Sequence, residues 1–204
     1  NWDVIPVPGN WDILGYTEPR YAQPDSLTGL YRTTFTIPDT WKNEHIILRF
    51  DGVLRGYDVW VNGQYAGKWE SSYNTCLFDI TPYLKEGDNL LALRVYTHFK
   101  GFDFDGNDDW AQVGISRDVT IFPVPDFHVK DITIRTNSLS DTFAKVGFDF
   151  EITSFSKRRA GNLSIQGKII DKNGIVKEEF RLPVNKDFPV HRDVTISHPD
   201  LWTA

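Results

Sequence analysis

The 204-residue sequence has no methionine, not even at position 1, and a single cysteine, Cys76. One cysteine excludes an intramolecular disulfide. Its place in the strand-like run Thr75-Cys76-Leu77-Phe78 reads as a small buried hydrophobe rather than a nucleophile. The missing methionine gives the expectation of a processed or recombinant piece whose ends lie inside a longer polypeptide. No apolar run approaches the ~20 residues of a membrane-spanning helix, and no signal-peptide pattern is present. No membrane partner is therefore expected. Positive charge is sparse: the formal net charge is −6, and the longest basic cluster is Lys157-Arg158-Arg159. That balance suits neither a phosphate backbone nor an anionic surface, so nucleic acid is not an expected partner. Histidines 45, 98, 128, 191 and 198 are scattered, with no spacing that places two on one metal. The sequence also lacks a GxSxG elbow, a phosphate-cradling glycine loop and an HExxH pair.

Aromatic residues are abundant. They reach 14%, with seven Trp, a load that suits both β-sandwich cores and sugar-stacking surfaces. Apolar periodicity is two almost throughout, and no segment of ten or more residues carries the i, i+3, i+4, i+7 pattern of a helix. Residues 30–37 alternate and stop at Pro38-Asp39, 45–50 form a second strand, and 57–61 and 64–66 flank Asn62-Gly63. Asn-Gly supplies the two positive φ angles of a type I′ hairpin turn. Residues 79–84 read as a short turn or single helical turn, followed by a strand over 90–96. Phe122-Pro123-Val124-Pro125-Asp126 predicts an extended linker, because two prolines remove backbone donors and fix φ. Beyond it, strands over 131–135, 145–153, 162–170, 176–182 and 190–197, with a second Asn-Gly turn at 173–174, suggest an immunoglobulin-like sandwich. The fold class is all-β, in two domains, 1–124 and 125–204.

The least ordinary stretch is 101–110, Gly-Phe-Asp-Phe-Asp-Gly-Asn-Asp-Asp-Trp, with four carboxylates and three aromatics. As a calcium loop it matches only the opening of an EF-hand. Asp108 stands where the sixth-position glycine belongs, and Gly114 where the twelfth-position glutamate belongs. As a catalytic pair, adjacent Asp108 and Asp109 are poorly disposed, since glycosidase carboxyl groups face each other across the scissile bond ~5 Å or more apart. A solvated acidic loop and a sugar-contacting loop both fit the composition. Arg117-Asp118 reads as a structural ion pair beside it.

A series of motifs then becomes readable in order: Val7-Pro8-Gly9-Asn10-Trp11, Thr28-Gly29-Leu30-Tyr31-Arg32 and Phe50-Asp51-Gly52-Val53. Val59-Trp60-Val61-Asn62-Gly63, Phe78-Asp79-Ile80-Thr81, Gly87-Asp88-Asn89 and Gly114-Ile115-Ser116-Arg117-Asp118-Val119 continue it. This series resembles the N-terminal sugar-binding jelly roll of glycoside hydrolase family 2, which includes β-galactosidases, β-glucuronidases and β-mannosidases. The part after Pro125, ending at Pro199-Asp200-Leu201-Trp202, is similar to that family's first immunoglobulin-like domain.

The resemblance implies that both catalytic glutamates sit on a following (β/α)₈ barrel of roughly 250 residues, which this sequence does not contain. No catalytic residue is expected here, and no cofactor within these residues. The implied role is accessory: a scaffold for the barrel of a retaining exo-β-glycosidase, foremost a β-galactosidase, in carbohydrate metabolism. The partners implied are a terminal β-linked sugar and the barrel of the same polypeptide, with an oligomer open for the complete enzyme. By the same resemblance Asp108 contacts the terminal sugar and helps hold a sodium ion, with magnesium as the other ion of the complete enzyme. Asp109 and Trp110 flank it. Ser26 stands where β-galactosidases carry a sugar-binding Asn, a departure that weakens the galactose match. Rival readings are a stand-alone carbohydrate-binding module using Trp110, Phe102 and Phe104, a β-glucuronidase or β-mannosidase parent, and an adhesion or scaffolding pair of sandwiches. A bacterial periplasmic or cytoplasmic setting would suit the family.

Overall fold

The computed structural model describes residues 2–21, 26–100, 110–156, 162–184 and 190–201. The chain divides into two compact units, Asn1–Val124 and Pro125–Ala204. Both are built from β-strands, and the helical content of the described residues is two single 3₁₀ turns, Asp39–Trp41 and Thr81–Tyr83.

In the first unit, β2 (Thr28–Phe35), β4 (Gly56–Val61), β5 (Gln64–Trp69) and β7 (Asn89–Tyr96) form a four-stranded sheet in the order β2-β7-β4-β5. A three-stranded sheet, β6-β3-β9, combines β3 (His45–Phe50), β6 (Cys76–Asp79) and β9 (Val119–Val124). The period-two pattern decides which side chains lie between them. In β7, Leu91, Leu93 and Val95 point inward and are buried, while Leu90 and Arg94 face out. These meet Tyr57, Val59 and Val61 of β4, and Ile46, Leu48, Phe50 and Phe78 from the other sheet, in one apolar core. Cys76 lies in that core, where burial pushes its thiol up. This is the jelly-roll sandwich.

The β4–β5 turn has Asn62 at φ 52 and Gly63 at φ 79, the two left-handed positions of a type I′ hairpin. Its far side is tied to β7 by two asparagines. Asn89, fully buried, accepts from the Lys85 N–H (2.9 Å) and from Asn62 Nδ2 (2.8 Å), and donates to the carbonyls of Lys85 and Gly87 (3.1 and 3.0 Å). Asn62 Oδ1 accepts from the Leu90 N–H at 3.0 Å. A polar group buried this deeply is tolerated because its donors and acceptors are matched.

The expected linker over 122–126 is shorter than the prolines suggested. Phe122, Pro123 and Val124 belong to β9 and pair with Ile47, Ile46 and His45 of β3. Pro123 is admitted because β9 has a single neighbour, so a missing N–H on its other side breaks no ladder.

The second unit pairs β10 (Phe127–Leu139), β11 (Phe143–Ser154) and β14 (Val190–Ser197) in one sheet, with β12 (Ser164–Ile170) and β13 (Val176–Pro183) in another. Phe150, Phe180 and Val194 are buried between them, with Phe148, Ile165 and Leu182 packed around. Strand β10 is far longer than the predicted 131–135. Register shifts at Val129/Asp131 and Thr136/Ser138 interrupt its alternation, so only the stretch between them reads as a strand from sequence.

On the outer face of this sheet Asp149 accepts from His191 Nδ1 (2.6 Å) and from Arg135 (2.5 Å), while His191 Nε2 lies 3.4 Å from Asp193. The His191 bond, then Arg135, holds the Asp149 carboxyl below the usual range, and Asp149 first and Asp193 after it raise the His191 imidazole. Because the folded His191 value lies above its unfolded value, the contact contributes fully below the ordinary imidazole value of about 6.5 and fades as pH rises through the folded one. Asp149 has the opposite sign: its share is present above about 3.9 and fades as pH falls through its lowered value. An NMR titration should therefore show the His191 midpoint raised above the ordinary imidazole value, and Asp149→Asn should lower it toward that value. An unchanged midpoint in the variant would remove the assigned cause.

Candidate functional site

The strands of the first unit deliver three segments to one end of the sandwich: the turn after β1 (Gly9–Asn10), the entry to β2, and the chain leading into β8 (Gly114–Ile115). Strands β1 and β8 form a two-residue ribbon, Gly9 opposite Ile115 and Asn10 opposite Gly114. Gly114 has φ 130, and a Cβ there would stand 2.7 Å from the Gly9 carbonyl oxygen, so only glycine fits. Asn10 Nδ2 donates to Gln112 Oε1 at 2.9 Å, and the Trp11 N–H donates to the Val113 carbonyl at 3.0 Å.

Trp11 is the hub. Its ring is 6% exposed, stacks on Tyr31 at 6.2 Å and lies flat against Gly29, where an added Cβ would come within 1.9 Å of the indole. Burial pushes the Tyr31 hydroxyl up to about 12, which keeps it neutral. The entry to β2 is fastened separately: the Leu27 N–H donates to Thr97 Oγ1 (3.0 Å) and the Thr97 N–H donates to the Leu27 carbonyl (3.2 Å).

This framework places the predicted residues as follows. Trp110 is 67% exposed, whereas the next residue, Ala111, is buried at φ 53. That left-handed turn sends the indole outward while the chain dives into the sandwich. Trp110 meets Tyr21 edge to face, with ring centroids 5.3 Å apart and planes at 78°. Tyr21 is 58% exposed, so the pair projects as one aromatic edge. Ser26 is exposed one residue before the Leu27–Thr97 clasp. Asp108 and Asp109, with Phe102 and Phe104, lie outside the described residues, and so does the sodium-binding role expected of Asp108. Among the described residues no group of three or more His, Cys, Asp and Glu is arranged to hold a metal. Arg117 and Asp118 do not pair as expected. Among the described ion pairs Asp51 takes Arg49 at 2.6 Å, and Arg117 lays its aliphatic stem against Gly52.

Tyr21 was not picked out in the sequence. Its signal was an aromatic residue between Pro19 and Pro24, outside any alternating run, where packing has no use for it. Sequence reading also passed over Arg55, which buries its guanidinium at φ 126, one residue past the Leu54–Gly114 bridge. Chemically the aromatic edge offers stacking surface for C–H faces and a phenol for hydroxyl groups.

The profile of the family described as "Glycosyl hydrolases family 2, sugar binding domain" matches residues 1–125. The chain is 29% identical to a β-galactosidase of Priestia megaterium over 229 residues, covering 100% of this chain and 22% of that protein. With a β-galactosidase of Clostridium acetobutylicum it shares 31% over 221 residues, 99% of this chain and 24% of that protein. The chain thus spans under a quarter of these curated relatives. Among solved structures, a β-glucuronidase of Bacteroides uniformis superposes with a TM-score of 0.85 at 25% identity, covering 99% of this chain and 25% of that one.

Two substitutions separate framework from surface. Gly29→Ala should destabilise the first unit by about 1–3 kcal/mol, since the Trp11 ring cannot retreat. Trp110→Ala should change stability by no more than about 0.5 kcal/mol, as expected for an exposed side chain. Denaturant titration followed by tryptophan fluorescence reads both. A stable Gly29→Ala chain would mean that Trp11 does not pin this end.

Proposed function

The chain belongs to glycosyl hydrolase family 2, and we propose that it forms the sugar-binding jelly roll and immunoglobulin-like domain of a retaining exo-β-glycosidase, a β-galactosidase. In this reading the two units scaffold a catalytic barrel, and the jelly roll supplies one wall of the terminal-sugar subsite through Trp110, Tyr21 and the neighbouring Asp108. The observation that carries it is the outward-facing Tyr21–Trp110 edge, joined to the acidic segment and anchored by the β1–β8 ribbon. An aromatic pair left exposed at a rigid end is suited to stacking on a pyranose ring.

The choice of a neutral sugar rests on charge. Asp108 and Asp109 beside the aromatic edge would repel a uronate carboxylate, whereas galactose hydroxyls donate to them. The β-galactosidase names among the relatives support this choice. A second reading, a β-glucuronidase, is favoured by the B. uniformis superposition. Sodium or magnesium belongs, in this proposal, to the assembled enzyme, with Asp108 as the contributed ligand. Catalytic glutamates are assigned to the barrel, so residues 1–204 alone should not hydrolyse nitrophenyl β-galactoside.

The test uses the full-length polypeptide. Hydrolysis of nitrophenyl β-galactoside should exceed that of the β-glucuronide at least tenfold in kcat/KM. Trp110→Ala and Asp108→Asn should each lower kcat/KM for the galactoside with little change in thermal midpoint. A preference for the glucuronide would transfer the assignment to the second reading. Unchanged kinetics in both variants would remove this end of the sandwich from the subsite.

A further inference from the structure

The outer face of the four-stranded sheet carries a side-chain cluster that the core does not use. Alternation sends Tyr57, Val59 and Val61 of β4 and Leu91, Leu93 and Val95 of β7 inward, so Asp58, Trp60, Ala92 and Arg94 face away. Two rows cross the strands there. Arg32, Ala92, Trp60 and Tyr65 are successive cross-strand partners, and beside them run Leu30, Arg94, Asp58 and Lys68. The solvated face of an antiparallel sheet is ordinarily polar. Here half-buried Trp60 meets Tyr65, itself 50% exposed, with ring centroids 5.5 Å apart.

The Arg94 guanidinium lies 5.9 Å from the Trp60 centroid and 5.8 Å from that of Tyr96. Its Nε and Nη2 both donate to Asp58 Oδ2, at 2.9 and 2.6 Å, and the Tyr65 hydroxyl donates to Oδ1 at 3.2 Å. Asp58 is 5% exposed and matched on both oxygens, whereas the Arg94 side chain is 52% exposed. Among the described residues nothing accepts from Arg94 Nη1, whose two N–H groups are held in direction by the Asp58 bonds. On the β7 side the neighbour of Trp60 is only the Ala92 methyl, and beyond it comes Arg32, with Trp2 stacked on its guanidinium at 4.1 Å. Arg32 and Trp60 are two strands apart, ~10 Å between backbones, so Ala92 leaves a gap in the row.

We propose that this face is a second carbohydrate site, using neither Trp110 nor Asp108, in which one neutral sugar ring of an oligosaccharide stacks on Trp60 over Ala92 and its hydroxyl oxygens accept from Arg94. The ligand class follows from the combination of groups. Asp58 cancels the Arg94 charge, and Lys68 is likewise taken by Glu70 at 3.0 Å, so a carboxylate or phosphate meets little net attraction. A purely apolar ligand would strip water from the guanidinium without replacing it. A sugar supplies both an apolar C–H face for the indole and oxygens for the free N–H groups. The contributing residues stand on paired strands rather than loops, so their geometry is set before the ligand arrives. An open face encloses less of its ligand than a cleft does, which suits weak retention of a chain.

Titration of residues 1–204 with cellotriose, β-1,4-galactotriose and xylotriose, followed by nitrogen–proton correlation NMR, tests the site. At least one sugar should bind with a millimolar dissociation constant and shift the Trp60 indole and Arg94 Nε signals. Trp60→Ala should weaken that binding about tenfold. Ala92→Val, a change a strand face accepts, should weaken it by a similar factor through filling the gap, with the thermal midpoint unchanged. Trp110→Ala should leave the affinity as it is, which separates this site from the proposed terminal-sugar subsite. Should Trp60→Ala fail to fold, Ala92→Val decides. Failure of all three sugars to bind would overturn the proposal. Binding that survives Trp60→Ala and Ala92→Val but is lost in Trp110→Ala would overturn it by moving the sugar to the aromatic edge. Tighter binding of trigalacturonate, falling as salt is raised, would overturn the neutral ligand class.

Discussion

Much of one end of the first unit depends on one contact, the Trp11 indole lying on the bare backbone of Gly29. The ring fills the space a side chain at 29 would need, and the Trp11 backbone N–H, donating to the Val113 carbonyl, ties the segment before β2 to the segment before β8. With Trp11 in place, Gly9 and Asn10 can pair with Gly114 and Ile115, and Tyr31 has an aromatic partner. The aromatic edge is then a by-product of packing: Trp110 has no room inside once Ala111 and Val113 occupy the wall. A dispersion contact of large area, made by a glycine that contributes no side chain at all, sets where the surface aromatics emerge.

The strands were legible in the sequence wherever alternation runs unbroken. His45–Phe50 and Val190–Ser197 coincide with the structure residue for residue, and the Asn62-Gly63 turn has the two positive φ angles its chemistry demands. Strand β10 was truncated in the reading because its bulges reverse the in-and-out order twice, and a period-two search stops at each reversal. Pro123 misled for a different reason. Proline forbids a central strand but not an edge, and edge or centre is a property of the sheet order rather than of the local sequence. Trp110 was legible as a site candidate from its acidic neighbours. Tyr21 was not, since its partner stands 89 positions along the chain, and no local pattern reports a contact that distant.

The substrate question turns on electrostatics more than on shape. Both β-galactosidase relatives and β-glucuronidase structures share this architecture, so the sandwich itself does not discriminate a neutral sugar from an anionic one. Discrimination has to come from which charges face the sugar. In the proposed function that filter is the pair of acidic residues at 108 and 109, whose repulsion of a carboxylate salt would screen.

The two Asn-Gly turns will not age alike. Succinimide formation requires the glycine nitrogen to attack the asparagine side-chain carbonyl, and so requires that amide to rotate freely. Asn62 is locked through both ends of its amide, to the carbonyl of Tyr83, to Asn89 and from the Leu90 N–H. The side chain of Asn173 makes no such bond among the described residues; its turn is held by Asp171 accepting from the backbone N–H groups of residues 173 and 175. Chemical ageing of the purified protein should therefore begin in the second unit. A slow acidic drift on isoelectric focusing would then report the exposed 173–174 turn while the core of the first unit remains chemically intact.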